Sequence, residues 1–202
     1  PRTRILKCGA WHFFHDAFTG EIPDPSKTPQ AILVSTTNLE PFLVRGDILL
    51  KRNLEAFMDC LKKLQSLLDY QPIFLAVPRT QAKLAETIRM RIQGLAWVRV
   101  VETPLKYPFH HFRLIARMAG LSASPEKGPV WSLRVEGVLS VARALSDSQP
   151  CVTRILAIGG PGVRTPSHVK VPHGYPIPEI LRHLSGSPSA KVVRGGLFTG
   201  TE

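Results

Sequence analysis

Short apolar runs separated by longer amphipathic stretches mark the first half of the chain. The runs are rich in β-branched residues and too short for helices, so each predicts a strand, and the first is expected to be buried on both faces. They lie at 31–34, 73–77 and 97–101. The stretches between them place apolar residues at helical spacing, which predicts helices capped by Asn53 and Thr80. Right-handed crossovers between such strands give a Rossmann-like three-layer parallel sheet.

The rest of the pattern divides the chain in two. Residues 4–14 have helix-forming composition, and 130–145 carries apolar residues at helical spacing, which predicts the last helix of a first domain over 1–150. The remainder, 151–202, is expected to be a small β-grasp-like α+β unit. Its predicted elements are strands at 155–158 and 168–171, a helix at 177–184 and a strand at 192–193. So short a unit buries little apolar surface, and we expect it to pack on the first domain.

Polar residues follow the first strand without a break. They are Ser35, Thr36, Thr37, Asn38 and Glu40. Because α/β folds bind ligands at the carboxyl ends of their strands, we expect this strand-end loop on the rim of any pocket. The loop supports one functional alternative, a stand-alone Rossmann-like nucleotide-binding protein.

An aromatic patch precedes the first strand. Its members are Trp11, Phe13, Phe14 and Phe18. Beside the strand-end loop these rings form either an apolar slot for a quinone ring or a surface that packs the first helix onto the sheet, and packing is the favoured interpretation.

Charge and composition restrict the function further. The formal net charge is +11 and 44% of residues are hydrophobic, which fits a soluble globular protein. The charge is spread without a basic run, which favours an acidic partner surface or anionic lipid headgroups over nucleic acid. No apolar run approaches the roughly 18 residues of a membrane span. Since the chain starts at Pro1 and not at Met, we expect a piece of a longer protein.

Cysteine and histidine positions encode no metal site. Cys8, Cys60 and Cys151 lie far apart without ligand spacing, so we expect neither zinc nor an iron–sulfur cluster, but reduced and mostly buried thiols of an intracellular protein. The adjacent His110 and His111 are expected to diverge on a helix, and no third ligand accompanies them.

Motifs of catalysis and nucleotide binding are also missing from the sequence. The glycines at 159–162 lack dinucleotide-binding spacing and predict a hairpin turn. No nucleophile stands near a candidate base, so no catalytic residue is nominated.

Five segments of the chain carry a resemblance to a known family. They are Cys8-Gly9-Ala10-Trp11 with Phe14 and Phe18, PQAILVSTTNLEPF at 29–42, SPEKGPVWSLRVEGVLSVARAL at 124–145, RILAIGGPGVRTPSHVKVPHGYPIPEIL at 154–181 and KVVRGGLFTGTE at 191–202. In register over nearly the whole chain, they resemble the A subunit of the sodium-translocating NADH:quinone oxidoreductase, a bacterial respiratory sodium pump. The resemblance implies the middle part of that protein, without its N-terminal biotinyl-like domain and with an SLBB-type unit after the Rossmann-like domain.

The resemblance also implies a role in the respiratory chain. It places the chain at the cytoplasmic face of the bacterial inner membrane, as a peripheral subunit that docks on other subunits, one of them membrane-embedded. Ubiquinone is implied as a ligand near the aromatic patch, and NADH, FAD, FMN and Fe–S clusters are implied on partner subunits.

Flavin is not implied for this chain itself. In the related flavoprotein subunit of complex I a glycine-rich loop wraps FMN, whereas the equivalent place here reads CGAWHFFHDAFTG, with bulky rings where glycine amides would approach the phosphate. His15 and Asp16 replace arginines that are usual in the family, which leaves open a divergent paralogue. A pure scaffold or adaptor is a further alternative.

Overall fold

A computed structural model describes residues 1–67, 70–184, 186, 190–198 and 200–201. The chain forms two compact units. Unit 1 comprises Pro1–Thr37 and Arg45–Cys151, and unit 2 comprises Asn38–Val44 and Val152–Glu202. Unit 2 is therefore discontinuous in sequence, because its first segment interrupts unit 1.

The second, third and fourth strands of unit 1 lie where the sequence predicts strands, with helices between them. The strands of unit 1 are β1 (His15–Asp16), β2 (Ala31–Ser35), β3 (Ile73–Pro78), β4 (Val98–Thr103) and β5 (Val130–Arg134). Its helices are α1 (Arg2–Lys7), α2 (Gly46–Arg52), α3 (Leu54–Gln65), α4 (Ala82–Arg91), α5 (Phe112–Met118) and α6 (Val135–Asp147). Unit 2 contains β6 (Thr153–Ile158), β7 (Ser167–Pro172) and α7 (Ile177–Leu184).

The sheet of unit 1 has the strand order β1-β5-β2-β3-β4. Strands β2 to β5 are parallel, and only the short β1 runs antiparallel, beside β5. Ile32 of β2 lies between Ile73 of β3 and Trp131 of β5, and all of β2 is buried. The predicted α/β class with a parallel-rich sheet is confirmed.

Helices cover both faces of this sheet. The larger core joins one face to helices α1, α3, α4 and α6, where Ile5, Leu61 and Val138 are fully buried. The smaller core joins the other face to α5 through Ile115 and Ala116. Right-handed crossovers place α3 and α4, which lead from β2 to β3 and from β3 to β4, on one face of the sheet. The connection from β4 back to β5 runs in the opposite direction, so α5 lies on the other face.

Two predicted helices have different boundaries. The helix predicted over 130–145 is wrong at its start, because Val130–Arg134 is β5 and pairs with β2 in the middle of the sheet. The helix predicted over 4–14 ends at Lys7, and Gly9 then adopts a φ of +70°, a conformation that a helix does not continue through. A 3₁₀ turn, Trp11–Phe13, and β1 follow it.

The predicted helix caps do not form. Asn53 precedes α3, but its Nδ2 donates to the Leu49 carbonyl oxygen at 2.8 Å, so its side chain closes the end of α2 instead. Helix α2 itself was missed by the pattern. Thr80 lies within the 3₁₀ turn Arg79–Gln81 that precedes α4.

Unit 2 has a two-stranded antiparallel sheet, in which Leu156 of β6 pairs with Val169 of β7. The helix predicted over 177–184 is confirmed as α7. The strand predicted at 192–193 is wrong, because these residues have no strand pairing and an isolated bridge joins Arg194 to Thr201 instead. The described residues of this C-terminal segment are therefore joined to each other by a bridge and not to the sheet of β6 and β7.

Candidate functional site at the carboxyl edge of the sheet

The carboxyl ends of β2 and β5 lie side by side, with Ser35 opposite Arg134. From β2 the chain proceeds outward to β3 and β4, and it then returns to the other side of β2 as β5. This reversal is the topological switch point at which open α/β sheets bind their ligands. It is the candidate functional site of unit 1.

Three residues of the strand-end loop lie at this edge and are buried: Ser35, Thr36 and Thr37. Thr36 Oγ1 donates to the Ala76 carbonyl oxygen at 3.0 Å, and the Thr37 amide donates to Ser35 Oγ at 3.1 Å. The hydroxyls of Thr37 and Thr103 are 3.3 Å apart. These side chains hold the ends of β2, β3 and β4 together.

The other two residues of the loop, Asn38 and Glu40, belong to unit 2. Asn38 Nδ2 donates to the Val44 carbonyl oxygen at 3.4 Å, and Asn38 Oδ1 accepts from the Glu40 amide at 3.1 Å. Glu40 Oε2 accepts from the Phe198 amide at 3.0 Å. Within unit 2, Glu40 thus holds the C-terminal segment, and the predicted loop is divided between two bodies.

Arg134 is a residue of this edge that sequence reasoning missed. Its guanidinium carbon lies 5.5 Å from the centre of the Phe112 ring, and Nη1 donates to the Thr37 carbonyl oxygen at 3.3 Å. The only signal was its position as the first charged residue after the apolar run 130–133, and that signal was hidden by the helix prediction. Arg134 brings a positive charge to the switch point.

The aromatic patch is divided between the two cores. Trp11 and Phe14 are buried and stacked, with ring centroids 4.6 Å apart, and Trp131 meets both rings edge-on. Trp11 Nε1 donates to the Pro23 carbonyl oxygen at 2.9 Å. Phe13 is half-buried against the same core, whereas Phe18 packs against the smaller core. The four rings are thus not brought to one surface.

Backbone amides in the segment equivalent to a flavin loop are engaged within the chain. The amide of Gly9 donates to the Leu6 carbonyl oxygen at 2.9 Å, and that of Ala10 donates to Ile5 at 3.0 Å. The Phe14 amide donates to the Trp11 carbonyl oxygen at 2.9 Å. These three amides therefore hold the local turns of the backbone between α1 and β1.

His110 and His111 lie just before α5, so the expectation that a helix separates their rings is wrong. Their ring centroids are 4.2 Å apart, and the Tyr107 ring lies 5.5 Å from that of His110. Among the residues that the structure describes, no group of three His, Cys, Asp or Glu side chains is placed to hold a metal ion.

Within the same described ranges, no helix has the length and apolar character needed to cross a membrane.

Comparison with protein families gives a match for the first half of the chain. The family described as NqrA second alpha/beta domain matches residues 2–99, which run from α1 into β4. This stretch is therefore similar to the NqrA second domain. The predicted resemblance to the A subunit of the sodium-translocating NADH:quinone oxidoreductase is thereby confirmed for a partial, NqrA-like chain.

Relatives extend the similarity beyond the matched NqrA domain. The A subunit of the Na(+)-translocating NADH-quinone reductase of Marinomonas sp. (strain MWYL1) is 22% identical over 196 residues, which are 97% of this chain and 41% of that protein. The C subunit of the ion-translocating oxidoreductase complex of Rhodobacter capsulatus is 20% identical over 161 residues, 77% of this chain and 31% of that protein. The chain spans about two fifths of the NqrA-type relative's length.

A solved structure shows the same fold as the NqrA-like chain. It is an NAD+-reducing [NiFe]-hydrogenase in the H2-reduced state, with a TM-score of 0.63 and 15% sequence identity, covering 89% of this chain and 38% of that one. At this identity the similarity concerns the fold.

Proposed function

We propose that the chain is part of a peripheral subunit of a sodium-translocating NADH:quinone reductase, or of a related ion-translocating oxidoreductase complex. The similarity to the A subunit of such a reductase over 97% of the chain carries this proposal. It is supported by the NqrA domain match over residues 2–99 and by the similarity to the C subunit of an ion-translocating complex. The location that follows is the cytoplasmic face of the bacterial inner membrane.

Within such a complex the chain provides docking surface, and partner subunits hold NADH, the flavins and the Fe–S clusters. The engaged amides of Gly9, Ala10 and Phe14 support a non-flavin role, because they leave no cradle for a flavin phosphate at that segment. The net charge of +11 suits an acidic partner or a membrane surface with anionic headgroups. Strands β6 and β7 with α7 serve as a β-grasp-like, SLBB-type unit for docking.

Ubiquinone is the small molecule that we place near the aromatic patch. Phe13 is the ring that suits this role best, because it is half-buried and packs against Gly137 at the start of α6, close to the carboxyl edge. Trp11 and Phe14 are buried members of the core cluster against which Phe13 packs. Phe18 belongs to the opposite core and is the matched ring for comparison.

Purification of the full-length protein from detergent-solubilised membranes tests the proposed complex. We expect NADH:quinone reductase activity to co-purify in fixed ratio, together with a membrane-embedded partner. Optical spectra of the chain expressed alone should lack flavin and iron–sulfur absorption. A protein that purifies without partners, or a stoichiometric flavin on the chain alone, contradicts the proposal. Sub-millimolar binding of NADH, NAD or FMN to the chain alone would favour the nucleotide-binding alternative.

Labelling with a photoreactive ubiquinone analogue tests the quinone part separately. Phe13→Ala in the intact complex should reduce labelling of this chain several-fold, and Phe18→Ala should leave it within error. The two variants are compared at equal amounts of the chain in the complex. Equal labelling would contradict the quinone part of the proposal. Only the docking role would then remain, which corresponds to the scaffold alternative.

A further inference from the structure

Cys8 and Cys151 are far apart in sequence but adjacent in unit 1. The Cys151 amide donates to the Cys8 carbonyl oxygen at 2.7 Å. Bond lengths and one N–H···O contact keep the two α-carbons within roughly 7 Å of each other, and disulfides span α-carbons about 4.4–6.8 Å apart. Cys8 belongs to the larger core, and Cys151 packs against that same core. Both cysteines are free thiols.

We propose that Cys8 and Cys151 are a redox modification site, a thiol pair that closes to a disulfide by exchange with a low-molecular-weight disulfide such as oxidised glutathione. Nothing in the proposed docking or quinone roles uses these two thiols. The site has an entry side, because Cys8 and Pro150, the residue before Cys151, line an open depression of about 500 Å³. Arg4 and Lys7 line the same depression, and their charges attract an anionic reagent such as glutathione.

Exposure decides which thiol reacts first. Cys151 is half-buried, whereas only 7% of Cys8 is exposed, and access governs thiol–disulfide exchange. The Cys151 thiolate attacks one sulfur of oxidised glutathione, so that a mixed disulfide forms and one glutathione thiolate leaves. The Cys8 thiolate then attacks the Cys151 sulfur and expels the second glutathione thiolate. Two protein thiols are oxidised, one glutathione disulfide is reduced to two thiols, and the cysteine protons pass to these thiolates.

Cys60 is the internal control. It is 1% exposed, and its thiol lies 3.3 Å from the Val138 carbonyl oxygen in the contact between α3 and α6. Burial raises the pKa of Cys60 to about 12. Since the thiolate is the reactive form, Cys60 should stay reduced under conditions that oxidise the pair.

The bond would tie the end of α1 to Cys151, the last residue of unit 1 before β6. This link closes nearly the whole of unit 1 into one loop, and cross-links of long loops stabilise by restricting the unfolded chain. Oxidation should therefore raise the melting midpoint of unit 1 by on the order of 5–10 °C.

Incubation of the full chain with oxidised glutathione at neutral pH tests the proposal. We expect two of the three thiols to be lost, no dimer on a non-reducing gel, and a Cys8–Cys151 cross-linked peptide in the proteolytic digest. Reductant should restore all three thiols and the original melting midpoint. Three thiols that persist, a cross-link that includes Cys60, or a lowered melting midpoint after oxidation would overturn the proposal.

Single substitutions assign the order of the two steps. Cys8→Ser should stop at a stable glutathione adduct on Cys151, and Cys60→Ala should still form the Cys8–Cys151 bond. An adduct that persists on Cys151 in the unsubstituted chain would contradict the pairing, because it would show that Cys8 does not reach the Cys151 sulfur. The peptide analysis of the unsubstituted chain decides this point without any variant.

Discussion

Phe13 and Gly137 approach so closely that a β-carbon added to Gly137 would lie 2.9 Å from the Phe13 β-carbon and 3.4 Å from Leu133 Cδ2. Within a helix, alanine is preferred over glycine by about 1 kcal/mol. Overpacking at a buried site costs about 1–3 kcal/mol. Because the overpacking cost is larger than the propensity gain over most of its range, we expect Gly137→Ala to lower the free energy of unfolding by up to about 2 kcal/mol.

Urea denaturation of the full chain measures this loss. Arg143→Ala is the matched control, because it places alanine on the exposed face of the same helix and should change the free energy of unfolding by less than about 0.5 kcal/mol. A Gly137→Ala variant that is more stable than the original chain would show that Phe13 moves aside at no cost.

A buried carboxylate joins the starts of α2 and α4. Asp47 is 4% exposed, and it accepts hydrogen bonds from Arg45 at 2.8 and 3.1 Å and from Gln81 Nε2 at 2.8 Å. Burial alone raises the pKa of Asp47, but the bonds from Arg45 and Gln81 outweigh it, so that the pKa lies below its usual value. Asp47→Asn should lower the free energy of unfolding at neutral pH by about 1–3 kcal/mol.

The sign of the pH dependence follows from the lowered pKa of Asp47. The unfolded pKa is about 4, so the stabilisation by the carboxylate is complete above that range and is lost as the pH falls through the lower, folded value. Stability curves from pH 7 to pH 2 should show a smaller acid loss in Asp47→Asn than in the original chain. Asp59→Asn removes an exposed carboxylate that lies 3.9 Å from Lys62, and it should change the free energy of unfolding at neutral pH by less than about 0.5 kcal/mol.

Phe14 tests how much stability the buried rings supply. It is fully buried between Trp11 and Trp131, so Phe14→Ala should cost about 3–5 kcal/mol of unfolding free energy. Phe198→Ala removes the same side chain at a position that is 70% exposed, and it should cost less than about 0.5 kcal/mol. Thermal denaturation compares the two variants, and equal losses would contradict the burial of Phe14.

Unit 2 should not fold from its C-terminal segment alone. Residues 151–202 lack Phe42, whose ring packs on Gly159, and Glu40, which binds the Phe198 amide. We expect this fragment to melt without a cooperative transition. Attaching residues 38–44 through a flexible linker should restore part of the cooperativity. A sharp transition in the fragment without residues 38–44 would show that those contacts are dispensable.

The elements that sequence reasoning located best have clear ends. The run 31–34 stands between a proline and a polar stretch, and it is the centre of β2. Helix α7 has the bounds that its apolar spacing predicts. In contrast, β5 passes into α6 without any loop, since Arg134 ends the strand and Val135 begins the helix. Apolar periodicity cannot separate a buried strand from a helix that follows it directly.

The composition of the candidate site was harder to predict than its position. The hydroxyls of Ser35 to Thr37 were expected at a strand end, and they lie there. This position could be predicted because a polar stretch that follows a buried strand is visible in the local sequence. Arg134 and Phe112 reach the same edge only because β5 inserts beside β2, which is a long-range pairing. The division of the strand-end loop at Asn38 has the same origin, since the contact of Glu40 with Phe198 comes from the far end of the chain.

Strand β5 is synthesised well after its neighbour β2, because Ala31 of β2 pairs with Val130 of β5. At roughly 5–20 residues per second, the ribosome needs about 5–20 s to pass from one to the other. Throughout this time the nascent β2 has an apolar, hydrogen-bonding edge without its neighbour, and such edges pair with other chains. A chain truncated before Val130 should therefore be more prone to aggregation than the full chain.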